Sequence, residues 1–312
     1  MDTAVHASRL ILEWQLPSPP PSVVTKEWQP KNGEVDLPFL KQEESIPFEM
    51  WKVSGFPSHQ IPEEVVTHVN IKYWELEMNR LANISASKPA ARIMGLVLDQ
   101  LKYGTDSKVG HPGNQRTHTP NYFSEPSIDL PRIADSLASE IKAGHMAGPL
   151  KPSDHADVKI NGLMAVPKPS GDRRQIGNLS SPRGQSFNDG VPEEALLEWP
   201  VHQTSARAFS NMVANAGWNS IMSKSDMVAA YKTLPVCKRQ RSLQFFSFLG
   251  ALFMDLRMIF GDRLACMFFD RLHYCIIHFM VRDRVPIPAR AVGRAVDDVP
   301  SVVPVGAGRL CN

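Results

Sequence analysis

Three carboxylates carry the strongest chemical signal in this 312-residue sequence. Asp226 stands in the run Ser225-Asp226-Met227-Val228-Ala229-Ala230-Tyr231, just after the mixed stretch Trp218 to Met222. Asp297 and Asp298 stand together between two β-prone runs, Val292 to Val296 and Val299 to Val303. A carboxylate leaving a strand and two more at the tip of a hairpin can be brought together in a folded sheet. Such a set suits hard divalent cations, which take oxygen ligands. Two such ions can clamp the attacking and leaving oxygens of a phosphoryl displacement. Taken singly, each feature has a plainer account. An Asp after a strand is commonly a turn or N-cap residue, and Asp-Asp in a loop is commonly solvated. The pair weakens that account: two-residue hairpin turns favour Asn-Gly or Asp-Gly because both positions take positive φ. Asp-Asp is a poorer turn, so something other than turn chemistry could have selected it.

A second set is basic. Gly162 to Lys168 reads as a strand, Pro169-Ser170-Gly171-Asp172 as a turn, and Arg173 to Leu179 as the returning strand. This hairpin gathers Lys168, Arg173 and Arg174, whose charge-assisted donors suit phosphate oxygens. A solvated surface hairpin accounts for the same composition. An irregular loop, Ser180 to Gly190, follows and contributes Arg183.

The elements that must position these residues are legible to different degrees. Residues 1–60 are proline-rich, densest at Leu16 to Pro21, and predict an extended, weakly ordered tail. Residues 61–105 read as a helical segment of no assigned role. Within it Val65, Val69, Tyr73 and Met78 suggest a helix over Pro62 to Ile84, and a second spans Ala90 to Tyr103 and ends at Gly104. Lys108 to Phe123 is a polar loop. Ile128 to Ala143 is the strongest helix, capped by Ser127 or Asp129 and stopped by Gly144. Ser205 to Ala216 forms a helix before the strand that carries Asp226. Leu243 to Phe248 and Ala251 to Ile259 pair about Leu249-Gly250, and Phe260-Gly261-Asp262 turns the chain. Leu264 to Val281 is a long, largely buried helix. Its His273 and His278 are five apart rather than at the four-residue spacing of helical metal pairs, so they read as core or edge histidines.

Totals narrow the class. A net charge of +2 announces no bulk affinity for nucleic acid, so any basic surface is local. Cys237, Cys266, Cys275 and Cys311 make no C-x-x-C pair and no zinc spacing, and read as reduced thiols of an intracellular protein, cytoplasmic or nuclear. The start lacks a basic signal-peptide region, and charges interrupt the apolar stretch Leu243 to Val281 before it could span a membrane.

In order, these pieces resemble the motif series of reverse transcriptases, and most closely those of DIRS-type retrotransposons, which integrate with a tyrosine recombinase. The residues that carry the likeness are Ile128-Asp129 through Glu140 to Gly144 with Gly148-Pro149, Val166-Pro167-Lys168, Leu179 to Gly190, Asp226 to Pro235, Ile259-Phe260-Gly261 and Val296-Asp297-Asp298. It covers roughly residues 100–306. The resemblance implies an α+β fold, the fingers and partial palm of a right-hand polymerase over residues 106–306, with an antiparallel sheet, packed helices and no complete thumb, followed by a short tail over 307–312. It implies RNA-directed DNA synthesis on an RNA or DNA template-primer. Asp226, Asp297 and Asp298 would hold two Mg²⁺ ions, or Mn²⁺ in their place. Lys168 and Arg174 would meet the incoming deoxynucleoside triphosphate, Tyr231 would act as steric gate, Gly261 would let the backbone approach the templating pair, and Arg173 and Arg183 would contact nucleic acid. Against the family pattern, Ala295 replaces an aromatic, Asn178 replaces an acid, and Pro300 is awkward in a central strand. Only 14 residues follow Asp298, so a truncated gene product, a degenerate element or a partial gene model is expected, in which a second polypeptide could supply thumb and RNase H. The rival reading is an inactive retroelement remnant that binds nucleic acid through Lys168, Arg173, Arg174 and Arg183, or binds protein.

Overall fold

The computed structural model describes residues 45–83, 88–110, 118–169, 171–201, 203–218, 220–277 and 298–303. Asp297, Ala295, the first arm of the Asp-Asp hairpin, His278, Cys311 and the proline-dense Leu16 to Pro21 lie outside these residues.

The protein is α+β. A five-stranded sheet runs in the order β1-β6-β5-β2-β3. Its strands are β1 (Met146–Leu150), β2 (Ile160–Pro167), β3 (Arg173–Asn178), β5 (Phe245–Phe248) and β6 (Ala251–Asp255). Neighbours are antiparallel except for the short parallel contact of β2 with β5. A separate two-stranded ribbon pairs β4 (Ile221–Asp226) with β7 (Asp298–Val303). The helices are α1 (Phe48–Val53), α2 (Ile71–Ala82), α3 (Lys88–Tyr103), α4 (Pro126–Lys142), α5 (Glu193–Leu197), α6 (Ala206–Ala216) and α7 (Ala265–Cys275).

Strand alternation explains how the sheet is covered. Along β5 and β6, Phe246, Phe248, Ala251 and Phe253 join the main core, while Phe245, Leu252 and Met254 turn to a smaller core on the other face. Side chains two apart share a face, and here both faces are buried, so β6 reads as an apolar run up to Asp255. The main core continues from Trp51 and Trp74 through Leu137 of α4 to Phe269 of α7.

Local signals set several boundaries. Leu249 and Gly250 both have positive φ (45° and 83°), as a two-residue mirror-type hairpin turn requires. Gly144 (φ 68°) ends α4: its N–H donates to the Ile141 carbonyl and the His145 N–H to that of Glu140, the paired bonds of a Schellman stop. At the other end of α4, Asp129 Oδ2 accepts from the Glu125 N–H at 2.9 Å.

Two expectations are corrected. Residues 45–60 are folded rather than part of a loose tail: Trp51 is 2% exposed, its indole N–H donates to the Leu249 carbonyl, and the Ile46 N–H donates to that same oxygen. The helix expected from Pro62 begins only at Ile71, because Asn70 caps it by accepting the Tyr73 N–H on Oδ1. Pro300, awkward in a central strand, stands in the two-stranded ribbon opposite Lys224, where missing a ladder donor matters less.

Candidate active site

The β4–β7 ribbon carries Asp226 and Asp298. Its antiparallel register runs from Ile221 opposite Val303 to Asp226 opposite Asp298. Residues paired this way stand about 4.5–5.5 Å apart, Cα to Cα. Asp226 and Asp298 are therefore neighbours at one end of the ribbon, although they stand 72 positions apart in sequence. Among the described residues no three His, Cys, Asp or Glu side chains gather as a metal site; Asp297 is not one of those residues.

Beyond Asp226 the chain turns through Ala229, which is left-handed (φ 51°, ψ 43°), into a 3-10 turn over Ala230–Thr233. Tyr231 lies in this turn and is 7% exposed. Its ring meets Phe260 edge-on at 4.6 Å and Phe269 at 5.6 Å. Burial pushes the Cys266 thiol up, opposed by its hydrogen bond with Tyr231. Phe260, by contrast, is largely exposed.

Through Phe260 the ribbon end is linked to the basic hairpin. Gly261 (φ 103°) lies so close to β3 that a Cβ would stand 3.3 Å from the Gly177 carbonyl oxygen, an approach that glycine permits without strain. Asn188 locks the junction. Its buried amide donates to the Gly261 carbonyl at 2.6 Å and to Ser180 Oγ at 2.8 Å, and its Oδ1 accepts the Arg263 N–H at 3.1 Å. Asp189 shapes the adjoining loop by accepting from Gly184 N–H, Ser186 N–H and Ser186 Oγ. The motif loop and the Phe-Gly turn are thus one hydrogen-bonded unit. The sequence showed both segments; nothing in it marked Asn188 as their link.

The basic residues divide. Arg174 and Arg183 are exposed. Lys168 pairs with Asp172 across the turn at 3.0 Å. Arg173 is committed elsewhere: its side chain is 8% exposed and it pairs with fully buried Asp129 at 3.1 Å and with Glu125 at 2.5 Å. That charge fastens β3 to the start of α4, which differs from the nucleic-acid contact expected of it. Buried carboxylates require such partners.

Behind the 3-10 turn lies a buried network that sequence reasoning missed. Lys232 Nζ donates to Asp255 at 2.6 Å and lies 3.6 Å from Glu140, which also meets His145 Nδ1 at 3.0 Å. Burial raises Asp255 to about 6 despite Lys232. Glu140 is the opposite case: His145 and Lys232 overcome its burial and hold it at about 2. The network pins the turn after Asp226 to β6 and to the end of α4. The only trace in the sequence is that Asp255 interrupts an apolar run.

Comparison with known proteins gives a limited likeness. No family model matches the chain, and no curated protein matches it. Among solved structures it is similar to the protease-reverse transcriptase of prototype foamy virus, with 14% identity and a TM-score of 0.42 over 77% of this chain and 30% of that one. The foamy viral enzyme in complex with RNA/DNA hybrid gives 17% and 0.45, covering 81% and 32%. Its complex with dsDNA gives 14% and 0.47, covering 80% and 48%. The chain spans about a third of the length of the first of these structures. At such scores the likeness assigns no role to any residue. No helix among the described residues is long and apolar enough to cross a membrane.

Proposed function

We propose that this chain is the fingers and partial palm of an RNA-directed DNA polymerase, built for two-metal nucleotidyl transfer on a primed template. The observation that carries the reading is the β4–β7 register, with Asp226 opposite Asp298 and Asp297 next in sequence. Like charges directly opposed on a ribbon are destabilising, and a cation relieves that cost. The donor set is all hard oxygen, which fits Mg²⁺ or Mn²⁺. When bound by Asp226, Asp297 and Asp298, such ions supply electrostatic stabilisation of the attacking and leaving oxygens.

The remaining roles belong to the chain's own side chains. Arg174 is free to meet triphosphate oxygens, and Lys168 would exchange its exposed pair with Asp172 for the same purpose. Arg183 would contact the template-primer backbone. Tyr231 would exclude a ribose 2′-hydroxyl, and the Gly261 backbone would border the templating pair, both held by the Phe260 and Asn188 contacts. The motif series favours an element of the DIRS type as the source.

The test is primer extension on poly(rA)–oligo(dT) with Mg²⁺ and dTTP. The native chain should incorporate nucleotide, and Asp226→Ala and the double change Asp297→Ala, Asp298→Ala should abolish incorporation while filter binding of the template-primer persists. Incorporation undiminished in either variant would sink the reading. Binding without incorporation by the folded native chain would favour a nucleic-acid-binding module instead.

A further inference from the structure

Away from the acidic ribbon, the fold buries positive charge with no carboxylate bonded to it. Arg257, just after β6, is 1% exposed, and its Nε and Nη1 have no hydrogen-bond partner. Arg241 is 8% exposed; its two Nη groups donate to the carbonyls of Pro62 (2.6 Å) and Glu64 (2.9 Å), but its Nε has no partner. His59 is 6% exposed with Nδ1 unpartnered. The three surround a cavity of about 20 Å³ whose other walls are Pro62, Val66, Gly144 and Leu256. No carboxylate lines it. The nearby acid Asp255 is already taken by Lys232.

An uncompensated buried guanidinium is costly, and arginine does not escape by losing its proton near neutral pH. Burial, then Arg241, lowers Arg257 only to about 10. Burial, then Arg257, depresses His59, and His68 is held at about 4 by burial, Arg257 and His145. Burial also lowers Arg241, opposed by Cys237 and by Glu64, an exposed carboxylate that is itself paired with Lys238; no acid stands against Arg257 or His59. A water molecule could accept the orphan N–H groups but would leave the charge standing. A space of this size is above the roughly 10–15 Å³ that one water needs, and suits a single small ion.

We propose that this cavity is a binding site for a single monatomic anion of chloride size, held by Arg257 Nε and Nη1, Arg241 Nε and His59 Nδ1. The ion joins three parts of the chain. His59 belongs to the N-terminal arm, where it bridges to Gly148 of β1; Arg241 holds the arm's Pro62 and Glu64 carbonyls; Arg257 follows β6. The bound anion would fasten the arm to the sheet, and the stability of the fold would be linked to halide concentration.

The experiment is thermal unfolding of the full chain at pH 7 and constant ionic strength, with sodium chloride exchanged stepwise for sodium gluconate, an anion too large for the cavity. The melting temperature should rise with chloride and with bromide. In Arg257→Met, which removes the buried charge, that halide dependence should vanish. Equal melting temperatures of the native chain in chloride and gluconate would overturn the proposal. If Arg257→Met does not fold, bromide-soaked crystals of the native chain decide: an anomalous peak in the cavity supports the site, and a water alone refutes it.

Discussion

Replacing Lys232 by methionine should cost the fold about 3–5 kcal/mol at pH 7, the usual cost of removing one partner of a buried ion pair. Methionine keeps the length of the stem and deletes the charge, so packing changes little. What is lost is the 2.6 Å bond to Asp255 and the attraction to Glu140 at 3.6 Å. The pH dependence separates the two. Asp255 sits at about 6 in the fold, above its ordinary value of 3.8. A raised carboxyl contributes its full stability below the unfolded pKa and loses it as pH climbs. In the native chain that loss stops near pH 6, where Asp255 ionises against Lys232. In the variant Asp255 has no cation and keeps its proton to higher pH, so the loss continues. One pH unit is worth about 1.4 kcal/mol, so the penalty should be smaller at pH 5 than at pH 7 by about that amount. Glu140, held at about 2, is ionised at both pH values, and its share of the penalty should persist. His68, which also titrates near this window, is common to both proteins and drops out of the difference. Urea unfolding of the pair at the two pH values measures this directly. A penalty under about 1 kcal/mol at pH 7, or one unchanged at pH 5, would refute the ionic role of Lys232.

Two further outcomes follow from the site. Asn188→Ala should destabilise the protein by about 1–3 kcal/mol, because the Gly261 carbonyl and Arg263 N–H lose their partner in a part-buried junction; the urea midpoint reads this, and no shift would mean that Asn188 does not hold the turn. Arg173 and Arg174, adjacent in sequence, should behave oppositely. Arg173→Ala strips the partner from fully buried Asp129 and should cost about 3–5 kcal/mol of stability. Arg174→Ala should leave the melting temperature unchanged but raise the KM for dTTP in primer extension, because it removes a donor to the triphosphate. Equal effects of the two on both measurements would contradict the division of labour.

What the sequence made legible follows the range of the interactions. Caps and turns are local, so Gly144, Ser205 and the Leu249-Gly250 turn could be read, and the hairpin of β2 and β3 emerged with its basic residues in place. Charge pairing is not local. Arg173 looks like a phosphate ligand in sequence because its partner Asp129 is 44 positions away on another element. Asp255 looks like an interruption because Lys232 reaches it only once β6 and the 3-10 turn are packed together. The same reasoning explains why residues 45–60 were misread: proline content describes the chain's own preferences, while Trp51 is held by a hairpin turn about 200 residues later.

The acidic ribbon is the instructive middle case. Two β-prone runs with carboxylates at corresponding ends were visible, but only the register makes Asp226 and Asp298 opposite neighbours. A slip of one residue would move Asp298 to the other face of its strand. Pro300 bears on this: it removes one ladder donor opposite Lys224, so the ribbon is held in register by the flanking pairs, Ile221 with Val303 through Ser223 with Ser301 on one side and Ser225 with Val299 on the other. Like charges at paired positions disfavour a register, and a cation bound between them would favour it. If the carboxylates serve the proposed chemistry, Mg²⁺ should therefore slow hydrogen exchange along β4 and β7, and Asp226→Asn should remove that protection. Protection indifferent to Mg²⁺ would mean that the apolar flanks alone fix the ribbon and that the aspartates are ordinary strand ends.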